Sequence, residues 1–273
     1  MTSDQASDII VKKAEEQFGI KTDPGDAKRL HSWICEKYGS DDQRTIDSVF
    51  LSGEAAEFLT VNETYFFREP SHFIFLRDLL PSFEKTGLQI CCAAVSSGCE
   101  AYSIAMLIET YNRDAKKNLR YSIDAFDINR KAINTACQGD YSARTMREDG
   151  SSFHYIANRY LKKTESAAGI RYQADLSLKK NINFFVYNLM DRLEHREYDI
   201  IFFRNAFIYF TQRNRERILS NLISVLGEDG ILISGISETS LIENPDIESK
   251  NRKDVFYFQK KTAGRNPFTE AQL

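Results

Sequence analysis

The hydrophobic positions change period once along this chain. Over the first sixty residues they recur at helical spacing: Leu30, Trp33, Ile34 and Tyr38 fall at i, i+3, i+4 and i+8 ahead of Gly39, and Ile46, Val49 and Phe50 repeat the interval. An amphipathic helix has to bury such a face, so these stripes predict a small helical domain's core rather than ligand contacts. Near residue 88 the apolar residues gather instead into runs of strand length, Leu88 to Ala94, Tyr121 to Asp127, Ile182 to Tyr187, Tyr198 to Phe203 and Gly230 to Ser234. Helical patterns lie between most of them, namely Ala101 to Tyr111, Asn129 to Gln138 and Gln212 to Leu226. Strands alternating with helices predict an α/β fold with a mostly parallel sheet covered on both faces. A last run, Val255 to Lys260, is expected at the sheet edge, pairing antiparallel.

One stretch breaks the alternation. Residues from Tyr141 to Lys180 are polar, and Gly169 separates two segments able to form a hairpin, so a small antiparallel β subdomain inserted at about 160–180 is predicted. The expected division is a helical domain and linker over 1–68, an α/β domain over 69–263, and a frayed tail over 264–273, where Gly264 and Pro267 fall.

Composition narrows the class. With 273 residues, 42% hydrophobic and 27% charged, the chain is long enough for one large core and a smaller one. A net charge of -3 argues against nucleic-acid binding, which draws on a concentrated basic surface. No apolar run approaches the ~20 residues of a membrane span. The start MTSDQASDII lacks a basic flank and an apolar signal core, so no membrane insertion and a cytoplasmic location are expected. Cys35, Cys91, Cys92, Cys99 and Cys137 are odd in number and show no CxxC pairing, so neither a disulfide framework nor a metal site is expected.

In an open parallel sheet, ligands bind beyond the carboxyl ends of the strands, so candidate residues are those that follow each run. The first run ends in Ala93-Ala94-Val95-Ser96-Ser97-Gly98-Cys99-Glu100, whose small side chains let a ligand approach the backbone and whose Glu100 is a hydrogen-bond acceptor. This is neither GxGxxG nor GxxxxGK[ST], so it supports neither a nicotinamide dinucleotide nor a nucleoside triphosphate. The second run ends in Asp127, an acid placed to hold a ribose diol or, alternatively, to cap the helix at Asn129.

Larger motifs carry a family resemblance. Asn62-Glu63-Thr64-Tyr65-Phe66-Phe67-Arg68-Glu69-Pro70 resembles the N-x-T-x-F-F-R signature of CheR-type chemotaxis receptor methyltransferases. Ser96 to Met106 is similar to their S-T-G-E-E-P-Y-S-I-A-M turn and helix, and Ala125-Phe126-Asp127-Ile128 to their A-S-D-I. Gly139 and Tyr141, Asn188-Leu189, Phe203 to Phe210 and Gly235-Ile236-Ser237-Glu238 resemble G-x-Y, N-L, C-R-N-V-M-I-Y-F and G-H-S-E. The resemblance spans about residues 60 to 260 and implies a Rossmann-like S-adenosylmethionine-dependent methyltransferase domain, preceded by a helical domain and carrying a small antiparallel β insertion.

Carried over by position, the resemblance puts the cofactor among Asn62, Thr64, Arg68, Glu100, Asp127, Asn188, Leu189, Arg204 and Asn205, with Arg68 and Tyr209 at the reactive end. Asp127 would hold the ribose hydroxyls, and Asn188 and Leu189 would flank the adenine. Phe66, Phe67 and Phe210 read as packing aromatics, and Arg204 has an interdomain ion pair as its alternative. The implied activity is methylation of glutamate carboxylates on a chemoreceptor's cytoplasmic domain or another signalling protein with acidic side chains. The products are glutamate methyl esters and S-adenosylhomocysteine. An inactive module that only binds these cofactors is the alternative, because Cys91, Cys99 and Ile236 depart from the family's Trp, Glu and His, and Ala101 from its Pro. Residues 1–60 hold seven Lys/Arg against twelve Asp/Glu, unlike the basic docking face expected of the family, although Lys12, Lys13, Lys28, Arg29, Lys37 and Arg44 are available to cluster.

Overall fold

The computed structural model describes residues 2–167, 169–193, 196–253 and 255–261. The expected frayed tail over 264–273 lies outside these residues. The amino-terminal part is helical, with α1 (Ser3–Lys13) running into a π-turn over Ala14–Phe18, then α2 (Pro24–Tyr38), α3 (Gln43–Leu51) and α4 (Glu54–Leu59). Local chemistry fixes α2 at both ends. The Asp23 carboxylate accepts from the Asp26 N–H, Pro24 occupies the first turn, and Gly39 closes the helix at φ 66. Leu30 and Ile34 are buried as the spacing predicts, whereas Tyr38 is exposed and donates to Glu54.

Then follow α5 (Pro70–Leu79), β1 (Leu88–Ala93), α6 (Cys99–Asp114), β2 (Tyr121–Asp127), α7 (Arg130–Gln138) and β3 (Asp140–Ser142). Next come α8 (His154–Tyr160), β4 (Leu161–Ser166), β5 (Gly169–Ala174), α9 (Leu176–Lys179), β6 (Ile182–Val186) and β7 (Tyr198–Phe203). The chain finishes with α10 (Gln212–Ser224), β8 (Leu226–Ser234), β9 (Ile247–Arg252) and β10 (Val255–Lys260). Seven strands form one sheet in the order β6-β2-β1-β7-β8-β10-β9, parallel from β6 through β8. The order reverses about β1, because β2 and β6 continue to one side and β7 to the other. That reversal opens a crevice beyond the carboxyl ends of β1, β2 and β7.

Three expectations are corrected by this topology. Val255 to Lys260 pairs antiparallel but lies one strand in from the edge, between β8 and β9. The true edge, β9, has the sequence IESKNR with only Ile247 buried, and an edge strand facing solvent needs no apolar run to be held by backbone pairing. The predicted helix over Gln212 to Leu226 stops at Ser224, and Leu226 opens β8. The insertion is a three-stranded antiparallel sheet, β3-β5-β4, that draws one strand from before residue 160.

Alternation along β1 divides the core between two faces. Ile90 and Cys92 join a cluster with Phe66, Phe67, Phe73, Tyr102 and Phe202. Cys91 and Ala93 face the other way, into a cluster shared with Ile10, Leu30, Ile34, Phe126, Phe203 and Leu222. The apolar stripes of α1 to α4 are therefore buried in the same cluster as the sheet residues of that face, which brings the amino-terminal segment over the carboxyl end of the sheet. There, Lys21 N–H donates to the Tyr209 carbonyl at 2.7 Å, and Ile20 bridges to Phe210.

Candidate active site

The crevice beyond β1, β2 and β7 is a cavity of about 310 Å³, within the usual range for small-molecule sites. Asn62, Thr64, Arg68, Glu100, Asp127, Asn188, Leu189, Arg204, Asn205 and Tyr209 all line it. They come from five separate segments of the chain, and the sheet brings them together. Phe18, Lys21, Asp23 and Asp26 also line it, which the sequence reading did not anticipate. Their contribution depends on the amino-terminal segment folding over the sheet, a contact without a local sequence signal.

The floor of the cavity is a buried polar network around Arg204, which is 6% exposed. Its Nη1 donates to Glu100 Oε2 at 2.8 Å, and its Nη2 donates to Glu69 Oε2 at 3.2 Å and to the Arg68 carbonyl. The ion-pair alternative for Arg204 thus describes its contacts, although the same side chain still faces the cavity. Glu69 also accepts from Asn205 Nδ2 at 3.0 Å and from the Ile236 N–H, and His72 Nδ1 lies 3.2 Å from its Oε2. Burial would raise the Glu69 carboxyl, but His72, Arg204 and Asn205 outweigh burial and hold it well below the usual carboxylate range. Glu100 goes the other way: burial pushes it up, the Arg204 guanidinium opposes, and the charge on Glu69 adds to the rise. Two carboxylates sharing one guanidinium are thereby driven apart in acidity. Burial likewise pushes the His72 imidazole down, favouring its neutral form.

Glu69 and Glu238 fall within two of the motifs but are not among the site residues that the resemblance names. Glu238 is fully buried and accepts from the backbone N–H groups of Asn205 and Ile208, which fixes the loop carrying Asn205 and Tyr209. Gly235 is tied to this arrangement, since a Cβ there would meet Asn205 Nδ2 at 2.7 Å and Glu238 Oε2 at 2.9 Å.

Asp127 sits at the end of β2, 7% exposed. Its Oδ1 accepts from the Asn129 N–H at 2.9 Å and its Oδ2 from the Ser96 N–H at 2.8 Å. The helix cap is Asn129 itself, whose Oδ1 accepts from Ala132, so Asp127 is not the cap. A carboxylate oxygen carries two lone pairs, and each oxygen keeps acceptor capacity for a hydroxyl. Burial pushes Asp127 up, against the pull of the N–H groups of Asn129 and Ser96. Asn188 is anchored rather than loose: its Nδ2 donates to the Gln17 carbonyl at 2.7 Å, tying the end of the π-turn to the sheet.

Backbone strain gathers here. Of the seven non-glycine residues with positive φ among the described residues, five (Phe67, Glu69, Ala94, Ser96 and Asn205) belong to the loops around the cavity. Each costs about 1–3 kcal/mol, which the surrounding packing and hydrogen bonds must offset. Phe67 shows how: its ring stacks on Phe153 with centroids 4.8 Å apart, and its N–H donates to Ser103 Oγ at 2.9 Å. Phe66 and Phe67 are fully buried packing residues, as expected, while Phe210 is buried and also lines the cavity.

The rim is built differently. Arg68 lies 5.5 Å over the Tyr65 ring and donates to the Glu63 carbonyl, and Arg147 covers Tyr65 at 4.6 Å and pairs with Glu63 at 2.6 Å. The Tyr65 hydroxyl donates to Asp149 Oδ2 at 2.9 Å. Cys91, Cys99 and Ile236, the three family departures that bear on activity, are absent from the cavity wall. Cys91 and Cys99 are fully buried, Ile236 is 60% exposed, and burial pushes the Cys99 thiol up to about 12 against a smaller pull from Ser97 and Thr64.

A donor set of this kind fits S-adenosylmethionine: an acid for the ribose diol, apolar Leu189 and Phe126, and several amides. Residues 62–256 match the family model described as CheR methyltransferase, SAM binding domain. A chemotaxis protein methyltransferase of Borreliella burgdorferi is 33% identical over 196 residues, covering 68% of this chain and 67% of that one. One of Vibrio parahaemolyticus is 34% identical over 190 residues with the same shares. A putative methyltransferase, Cher3, of Pseudomonas putida is 26% identical over 254 residues, 88% of this chain and 92% of that one. With a Rossmann-like sheet, a small antiparallel sheet inserted in it and this match over most of its length, the chain belongs to the CheR methyltransferase family.

Proposed function

We propose that this protein methylates glutamate side chains on the cytoplasmic domain of a chemoreceptor, giving glutamate methyl esters and S-adenosylhomocysteine. One observation carries the reading: all ten residues named from the motifs line a single cavity, while the substitutions at Cys91, Cys99 and Ile236 lie outside its wall. An inactive binding module would be expected to have lost groups from the wall itself.

S-adenosylmethionine supplies a methyl group on a sulfonium, which a carboxylate can take by in-line displacement. The C–S bond breaks as the C–O bond forms, the sulfonium becomes a neutral thioether and the carboxylate a neutral ester, so no proton moves. Glutamate is already ionised at neutral pH, and a general base is unnecessary. The residues of this chain therefore act by positioning and by excluding water. Asp127 holds hydroxyls at the end of β2, and Asn188 and Leu189 form the wall under the base. Arg68 receives the substrate carboxylate, a task suited to its planar fork. Tyr209 presents its ring to the sulfonium, an attraction of up to ~2 kcal/mol when desolvated.

The partner is the finer part of the proposal. Of the six basic residues singled out in the helical segment, five are engaged in ion pairs: Lys12 with Glu16, Lys13 with Asp47, Lys28 with Asp4, Arg29 with Asp26 and Lys37 with Glu54. These pairs engage the segment's basic residues, so an acidic receptor helix is met at the rim by Arg68, and by Arg147 as it exchanges its Glu63 pair for a receptor carboxylate.

Calorimetric titration with S-adenosylhomocysteine, with Asp127→Ala as control, tests the cofactor half. Binding that is lost in the control supports it, and no binding by the folded chain overturns it. Base-labile methyl esters on a chemoreceptor fragment test the substrate half, and their absence with cofactor binding intact would leave only the binding module.

A further inference from the structure

Away from the cavity, three ligand-type side chains converge near the carboxyl end of α2. His31 and Cys35 stand one helical turn apart, on one face, and Asp41 reaches back from the loop that leads into α3. The imidazole Nε2 lies 3.5 Å from Cys35 Sγ and 3.4 Å from Asp41 Oδ2, and the three atoms are no more than 4.8 Å from one another. No CxxC spacing marks this arrangement, since the pair is His and Cys at i, i+4 and the third member follows in a loop.

Both short edges meet at one nitrogen, which carries either a proton or a lone pair. Protonated, Nε2 faces Asp41 at a distance beyond the usual 2.7–3.2 Å of an N–H···O bond. Unprotonated, it can accept from the Cys35 thiol but opposes a carboxylate that can only accept. A cation placed between the three atoms would meet a ligand atom from each residue. Tetrahedral zinc with its usual bond lengths sets the S···N edge at about 3.5 Å and the N···O edge at about 3.4 Å. We propose that His31, Cys35 and Asp41 bind a divalent cation of the zinc class, with solvent completing the tetrahedron. The Cys35 thiol gives its proton to solvent on binding, and thiolate plus carboxylate then balance the dication around a neutral imidazole. A sulfur ligand with an imidazole selects zinc-like metals over magnesium or calcium, which prefer oxygen.

The cation would clamp the end of α2 to the loop before α3. Asp26, which lines the cavity, is nine residues earlier on α2, roughly 13 Å along the axis. The site thus stiffens a helix whose other end forms part of the cavity wall without touching the cavity.

Incubating the full chain with zinc chloride, desalting it and measuring the metal should return one zinc per chain. Cobalt(II) should give a thiolate-to-metal charge-transfer band. Cys35→Ser should abolish the band, and His31→Gln and Asp41→Asn should weaken zinc binding by at least about tenfold, a loss that even outer-shell changes produce. Cys137→Ser, at the exposed thiol elsewhere, should keep the band. Circular dichroism establishes that each variant is folded, and Asp41→Asn, in a partly exposed loop, is the variant least able to disturb the fold. No zinc retained by the folded wild type, a band that survives Cys35→Ser, or one lost in Cys137→Ser overturns the proposal.

Discussion

The floor and the rim of the cavity contain similar chemistry, arginines against carboxylates, but are constructed on opposite principles. On the floor, Arg204 and Glu238 are buried, and the loop after Arg204 is strained at Asn205 and held there by the hydrogen bond from the Asn205 N–H to Glu238. At the rim, the Arg147–Glu63 pair has side chains 45% and 57% exposed and contacts mainly the Tyr65 ring. Buried charges that lack a partner cost several kcal/mol, whereas exposed pairs contribute about 0–1 kcal/mol. The floor is therefore committed to one geometry, as a fixed cofactor position requires, and the rim is free to exchange partners when a substrate carboxylate arrives.

The sharpest way to break this contrast is Arg204→Ala. It leaves Glu69 and Glu100 buried without their shared counter-charge, and a loss of about 3–5 kcal/mol is expected, read from the urea midpoint. S-adenosylhomocysteine binding should disappear even where the variant is folded. A loss below 1 kcal/mol would mean that the floor is as tolerant as the rim.

Glu69→Gln is expected to cost less, about 1–3 kcal/mol at neutral pH, because shape is kept while charge-assisted hydrogen bonds to Arg204 and Asn205 are weakened. Its pH dependence has a definite sign. The folded-state carboxyl of Glu69 is depressed, so its stabilisation is fully present above the unfolded value of about 4.3 and is lost as pH falls through the lower folded value. The stability gap between wild type and Glu69→Gln should thus be widest at neutral pH and narrow below about pH 4. Denaturation at pH 7 and pH 3.5 measures it, and a gap that widens in acid would contradict the assignment.

Gly235→Ala should have a smaller effect on stability and a clear one on binding. Gly235 has φ -64, so its backbone suits alanine; the penalty is the added Cβ pressing on Asn205 and Glu238. About 1–2 kcal/mol of overpacking is expected, with S-adenosylhomocysteine affinity roughly tenfold lower as the Asn205 loop is displaced. Unchanged affinity would remove Asn205 from the cofactor wall.

Much of this was legible in the sequence for a physical reason. β2 and β7 begin and end at the predicted residues, because a central parallel strand is buried on both faces and reads as an unbroken apolar run. α2 was legible from Leu30 and Ile34 and from the stop at Gly39. The edge strand β9 was not, since one exposed face and backbone pairing leave no pattern in IESKNR. The cavity wall was legible wherever a residue belongs to a motif at a strand end. Phe18, Lys21, Asp23 and Asp26 were illegible, because what brings them there is the packing of α1 and α2 on residues such as Phe203, far along the chain. The role of Glu69 was hidden likewise: its partners Arg204 and Asn205 lie over 130 residues away.

At the rim the same contrast predicts activity and stability to separate. Arg68 and Arg147 flank Tyr65, and each loses only exposed contacts when truncated, so Arg68→Ala and Arg147→Ala should both stay within about 0.5 kcal/mol of the wild type. Both should bind S-adenosylhomocysteine nearly as well as the wild type. Transfer distinguishes them. Arg68 lines the cavity and, in the proposed role, orients the attacking carboxylate, so Arg68→Ala should lower kcat about 100-fold, the size of a loss caused by misplacing reacting atoms. Arg147 is absent from the cavity wall and acts through charge at the entrance, so Arg147→Ala should raise KM a few-fold with kcat retained, an effect that fades at high salt. Equal losses of kcat in both variants would mean that the rim is a single rigid unit like the floor, and would return the orienting role from Arg68 to the whole cluster.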